Sequence, residues 1–212
     1  MNQLVRIQLN TQAPQKLQLA ALQDAFAEVC NTLSPLVQQS RCWNRVALHH
    51  MTYRQLRAQF PELGSQMICN AIYSVSRTSR HVYQNPNSLF NVNKLGDRPL
   101  PLLRFQPQSP VYFDRHTLSI KAGQISMLTL DGRMQFDLAV KPEVEERFRT
   151  AKLREIVLKQ QAGEFVLDFT FADGDAVDNP TATLEDLPEY VLVTESVLTP
   201  ASAQPPAAAM TL

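Results

Sequence analysis

Residues 48–83 read LHHMTYRQLRAQFPELGSQMICNAIYSVSRTSRHVY (Leu48–Tyr83) and predict two helices joined by a turn. Thr52 followed by Gln55 matches a capping box, which predicts a short helix from Tyr53 to Phe60. Pro61-Glu62-Leu63-Gly64 breaks that helix, and Ser65 is placed to cap a second one over Gln66–Tyr83. The second helix separates into two faces. Met67, Ile68, Ala71, Ile72, Val75 and Val82 recur on a core-facing stripe, and Gln66, Asn70, Ser74, Arg77 and Arg80 or His81 fall opposite. An ordinary solvated face is the plainer reading of that polar side, but such faces mix Glu with Lys. This one holds amides, hydroxyls and arginines without an acid, the set that bonds to bases and phosphates.

The surrounding window is basic. Arg41 to Arg104 holds nine Lys/Arg (Arg41, Arg45, Arg54, Arg57, Arg77, Arg80, Lys94, Arg98, Arg104) against two acids, Glu62 and Asp97. The full chain of 212 residues is formally neutral, so this concentration is local. Residues 1–150 carry 17 bases and 10 acids, and residues 151–212 carry 3 and 10. Local positive charge on an ordered surface is the footprint expected for a phosphate backbone.

Outward from the helix pair, Leu4–Leu9 alternates with Val5, Ile7 and Leu9 on one face and predicts a first strand. Pro14 suits the first turn of a long helix reaching about Ser40, with Leu22, Phe26, Val29 and Leu33 on its core stripe. From Pro110 the apolar period changes to two. Strands are predicted at Pro110–Asp114, Thr117–Lys121, Gln124–Leu128, Met134–Val140, Leu153–Lys159 and Glu164–Phe171. Turns are supplied by Asp114-Arg115, Ala122-Gly123, Asp131-Gly132 and Ala162-Gly163, with a short helix over Lys141–Ala151. The expected fold is α+β: a small antiparallel β-barrel carrying an inserted helical subdomain. An acidic linker follows Ala172, Tyr190–Val193 reads as a last short strand, and the Pro/Ala tail is expected to be disordered. The predicted organisation is residues 1–12 as first strand, 13–104 as helical insertion, 105–172 as the rest of the barrel, and 173–212 as linker and tail.

No catalytic constellation stands out, and no cofactor is expected. His49-His50, His81 and His116 lie at no metal-ligand spacing, so no metal site is predicted. Walker A, GxGxxG and GxSxG motifs are absent. Cys30, Cys42 and Cys69 are widely spaced and odd in number, which suggests buried reduced thiols in a cytoplasmic protein. No apolar run approaches the roughly 20 residues that span a bilayer, and the N-terminus lacks the pattern of a signal peptide.

The helix-pair segment resembles the recognition-lobe helices of the TnpB (insertion-sequence OrfB) proteins, which read "L…LTY..LR….LPSQ…NAI..V". The later segment PVYFDRHTLSIKAGQISMLTLDGRMQFDLAV…FRTAKLREIVLKQQAGEFVLDFTF is similar to the wedge domain of the same family. TnpB proteins are RNA-guided, transposon-encoded DNA nucleases related to the type V CRISPR effectors. The resemblance implies a guide-RNA-binding wedge barrel and inserted helices that read a short duplex motif and cradle the heteroduplex. By position it puts Tyr53, Arg54, Arg57, Gln66, Asn70, Ser74, Arg77 and Arg80 on the DNA or heteroduplex side. Arg115, Lys121, Arg133, Lys152 and Arg154 would face the RNA.

In the family a RuvC nuclease domain begins where this chain reads Tyr190-Val191-Leu192-Val193. The first catalytic Asp and the zinc-ribbon CxxC pairs have no counterpart here. The expected function is therefore non-catalytic binding of guide RNA and double-stranded target DNA, in the cytoplasm and on the nucleoid of a bacterium or archaeon. The chain would serve as one half of a split effector with a separate RuvC-type nuclease subunit, or as a domesticated DNA binder. The alternative is a protein–protein adaptor or inhibitor that keeps the fold and docks a partner protein; a decayed gene product is the third reading.

Overall fold

The computed structural model describes residues 2–137, 141–172 and 188–194. The expectations for the Pro/Ala tail and for most of the acidic linker lie outside these residues. Strand β1 (Asn2–Gln8) leads into helix α1 (Ala13–Ser40), α2 (Arg45–Gln59), α3 (Ser65–Gln84) and the single turn α4 (Val92–Leu95). Strands β2 (Leu102–Phe105), β3 (Val111–Phe113), β4 (Leu118–Lys121), β5 (Gln124–Thr129) and β6 (Gly132–Asp137) follow. Helix α5 (Pro142–Thr150), β7 (Leu153–Gln161), β8 (Glu164–Ala172) and β9 (Val191–Thr194) complete the order.

The expected α+β organisation is present, with the helices between β1 and the later strands. The closed barrel is not. The strands form three open antiparallel sheets, ordered β1-β8-β7-β3, β2-β9 and β4-β5-β6. Two features separate the first sheet from the third. Asp114 folds the chain sharply after β3, because its Oδ1 accepts the His116 and Thr117 N–H groups, both at 3.0 Å. Helix α5 then lies against β4 and sets Phe148 edge-on to Phe169 of β8, at 6.0 Å and 88°. The hairpin turns follow their residues: Ala122-Gly123 and Ala162-Gly163 both take positive φ, as a two-residue turn matched to strand twist requires.

Helix α2 is longer than the capping-box reading. Asn44, not Thr52, caps it, accepting from the Val46 and Ala47 N–H groups. Thr52 sits mid-helix and buried, its hydroxyl bonded to the Leu48 carbonyl at 2.7 Å. Ser65 is the first residue of α3 rather than its cap, and Gly64 takes that position. Cys30 is buried as expected, but Cys42 and Cys69 are only half-buried.

Strand β2 was not visible as a strand, and its docking explains why. The segment around it carries Pro99, Pro101, Pro107 and Pro110, and proline cannot donate to a ladder. One edge of β2 pairs with β9. Helix α1 satisfies backbone groups elsewhere along the segment with side-chain amides. Gln23 donates to the Gln108 and Ser109 carbonyls, and Gln38 to the Leu100 carbonyl. Asn31 both donates to the Phe105 carbonyl (2.9 Å) and accepts from its N–H (2.8 Å). Replacing Asn31 with Ala removes both partners of a largely buried residue, where each unsatisfied group costs about 1–3 kcal/mol. Asn31→Ala is expected to lower the unfolding free energy by about 2 kcal/mol in urea titrations.

Strand β8 is buried from Phe165 to Phe169, including Asp168. Asp168 bonds to Arg6 of β1 at 2.7 and 2.9 Å and to Lys159 of β7 at 2.7 Å. Burial works to raise its pKa, but the hydrogen bonds from Arg6 and Lys159 outweigh that and hold the carboxyl below the usual carboxylate range. A carboxyl lowered in the folded state stabilises the fold above its unfolded value of about 4. That contribution disappears as the pH falls through the lower folded value. Unfolding of Asp168→Asn followed against pH is expected to show a flatter acid limb than the native chain, with a lower plateau near neutrality.

Candidate nucleic-acid interface

Helix α3 packs against α1, α2 and β3. Its expected polar face is therefore largely enclosed. Asn70 is 6% exposed and Ser74 is 2% exposed. The Asn70 amide donates to the Tyr112 carbonyl of β3 at 3.0 Å, and Ser74 lies against the Cys30 thiol. Gln66 is half-buried and donates to Asp114. The reading of Gln66, Asn70 and Ser74 as one open, base-contacting edge is corrected accordingly, because protein partners occupy these polar atoms. The acids absent from the helix are supplied by the strands that cover it. Arg80 alone among the α3 candidates is exposed without such a partner.

Arg77 belongs to a cluster that the sequence did not announce. Its Nε pairs with Glu155 of β7 at 3.1 Å and an Nη donates to the Tyr112 hydroxyl at 2.9 Å. Tyr73 donates to the same Glu155 and stands edge-on to Tyr112, and Arg45 of α2 lies 5.1 Å above the Tyr73 ring. Burial and then the neighbouring Glu155 carboxylate push the Tyr73 hydroxyl pKa up. Burial opposes the charge on Arg77, yet Tyr112, Glu155 and Tyr73 hold it more firmly protonated than a free arginine. The cluster joins α2, α3, β3 and β7. Glu155 and Tyr73 gave no sequence signal, since their pairing depends on elements far apart in the chain.

On α2, Arg54 is exposed and Tyr53 and Arg57 are half-buried. Tyr53 stacks on His49, with ring centroids 4.7 Å apart and 21° between planes. An Arg57 guanidinium nitrogen donates to the Phe60 and Leu63 carbonyls of the α2–α3 turn. Among the strand candidates, Arg115 donates to the Phe148 (2.7 Å) and Ala151 (2.6 Å) carbonyls at the end of α5. Arg133 donates to the His116 carbonyl at 2.7 Å and to the Ser126 carbonyl at 3.3 Å. Lys152 is exposed beside Ala151, so the structure gathers Arg115, Arg133 and Lys152 around the β3–β4 turn and the end of α5. Lys121 is exposed at the far end of β4, away from that group, and Arg154 is half-buried on β7.

Ten of the 20 Lys/Arg fall into two classes by the partner that holds them. Arg6, Lys16, Arg77, Arg149 and Lys159 each pair with a carboxylate. Arg57, Arg115 and Arg133, together with Arg41 (to the Arg98 carbonyl) and Arg98 (to the Leu95 and Lys94 carbonyls), are held by backbone oxygens instead. Among the described residues no carboxylate lies within salt-bridge distance of these five. A carbonyl orients a guanidinium without cancelling its charge. The second class is therefore positive charge that is positioned and left uncompensated.

Among the described residues, no three His, Cys, Asp or Glu side chains are grouped to hold a metal ion. No described helix is long and apolar enough to cross a membrane. No family model matches the chain, and no curated protein matches its sequence significantly.

Asn70 and Arg54 separate packing from surface. Asn70→Ala strands the buried Tyr112 carbonyl and is expected to cost about 1–3 kcal/mol of stability. Arg54→Gln is expected to stay within about 0.5 kcal/mol of the native chain. Parallel urea titrations of the two variants check both.

Proposed function

We propose that this protein binds nucleic acid without cutting it, through arginines positioned by backbone carbonyls. The observation that carries the reading is the division of the cations. Arg6 and Lys159 have their charge neutralised within the fold by Asp168. Arg57, Arg115 and Arg133 hold their guanidinium groups in fixed positions with the charge free to meet phosphates. Fixing the side chain beforehand also reduces the rotamer entropy lost on binding.

The likeness to TnpB narrows the ligand to a guide RNA and the DNA that pairs with it. On this reading the chain is the recognition part of an RNA-guided system, working with a RuvC-type nuclease on another chain or as a guide-dependent DNA binder. Base pairing would carry most of the sequence specificity, as in related effectors. The enclosed Asn70 and Ser74 would then support the fold, and the backbone-held arginines with Arg54 and Arg80 would meet the ligand.

Binding of labelled RNA and DNA across a salt series tests the proposal. Engagement of all five backbone-held arginines with Arg54 and Arg80 predicts a slope of log affinity against log salt of about −4.9 on single strands. Absence of binding to either polymer at low salt would favour the adaptor reading, in which the same surfaces dock a protein.

A further inference from the structure

We propose that the α2 line His49–Tyr53–Arg57, continued by Arg133 of β6, is a track for one unpaired nucleic-acid strand. The inference rests on the nucleic-acid reading above and adds to it the state of the strand and its path. His49, Tyr53 and Arg57 are spaced by four residues and so share one side of α2. The first two rings already lie parallel at 4.7 Å, with His50 edge-on to His49 at 5.9 Å and 85°. Arg54 is exposed beside Tyr53, and α2 contains no acid.

At the end of α2 the line meets the strand part of the molecule. Arg57 is tied to the Leu63 carbonyl, next to Gly64. Gly64 abuts β5 so closely that a Cβ there would stand 3.0 Å from a Leu128 methyl. Leu128 is the cross-strand partner of Arg133, whose guanidinium is tied to the His116 carbonyl. Arg57 and Arg133 are thus linked through a contact between the α2–α3 turn and the β5–β6 hairpin. One cation that motif position assigns to DNA, Arg57, and one that it assigns to RNA, Arg133, are joined by that contact.

Rings followed by fixed cations suit a single strand in particular. In a duplex the base faces are covered by their neighbours, so only base edges and the backbone are offered and the rings have nothing to stack on. An unpaired strand offers both base faces for stacking and phosphates for the arginines. The counter-charges nearby do not close the track. Glu62 is exposed on the turn, and the Asp114 carboxylate is taken up by Gln66, Thr117 and the His116 N–H.

The test uses the full chain with a labelled oligouridine strand of about 16 nucleotides, a length within the range of known single-strand sites, and a duplex of equal length. The native chain is expected to prefer the single strand. His49→Ala with Tyr53→Ala is expected to weaken single-strand binding by about tenfold or more and to leave the duplex within about twofold. Tyr53→Leu preserves apolar bulk and should show the same selectivity, which separates lost stacking from lost folding. Arg54→Gln, which breaks no internal bond, and Arg133→Gln should each reduce the single-strand salt slope by about 0.7. Preference for the duplex, or equal losses on both probes in the ring variants, would overturn the track while leaving nucleic-acid binding in place. Binding of neither probe by the native chain would remove the underlying reading itself.

Discussion

Enclosure of helix α3 is the constraint from which much of the structure follows. With α1, α2 and β3 around it, nearly every turn of α3 is desolvated, and its amides and hydroxyls are costly unless partnered; the Thr78 and Ser79 hydroxyls stay without one. Asn70 meets the Tyr112 carbonyl and Gln66 meets Asp114, so the helix is tied to β3 by polar bonds as well as apolar contact. The same need draws Arg77 and Tyr73 onto Glu155, which links β7 to the helices, and Arg77 also donates to the Tyr112 hydroxyl. Helix α1 answers the corresponding need of the proline-rich β2 segment with Gln23, Asn31 and Gln38.

Among the described residues, several surface arginines have no carboxylate within salt-bridge distance. They settle on carbonyls at turns and helix ends: Arg57 at the α2–α3 turn, Arg115 at the end of α5, Arg133 at the β3–β4 turn. These are the places where backbone oxygens lack regular partners. Each contact steadies a local bend and leaves a cation facing outward. On the proposed function, structural and recognition roles coincide at the same residues.

Legibility in the sequence tracked the range of the forces involved. The strands from Val111 to Ala172 and their turns followed from local alternation and from pairs such as Ala122-Gly123, because those signals act within a few residues. The start of α2 was misplaced because Asn44 offered a cap that the apolar pattern did not mark, while Thr52 matched a motif it does not use. The open sheets could not be distinguished from a barrel, since strand count and alternation are the same in both. Only the strand pairing itself, β1-β8-β7-β3, β2-β9 and β4-β5-β6, tells them apart. For the site, residue types were informative and exposure was not. An acid-free helix face can be free to bind, or it can be matched by acids from distant elements, and Glu155 and Asp114 show the second case on α3. Helix α2 is also acid-free and keeps Arg54 and His50 in solvent.

Ultraviolet cross-linking of the full chain to photoreactive RNA, followed by peptide mapping, measures most directly where a strand lies. Cross-links are predicted in the α2 peptide containing His49 and Tyr53 and in the peptide containing Arg133. Cross-links confined to the outer face of the β1–β8–β7 sheet, around Arg6 and Lys159, would contradict the account.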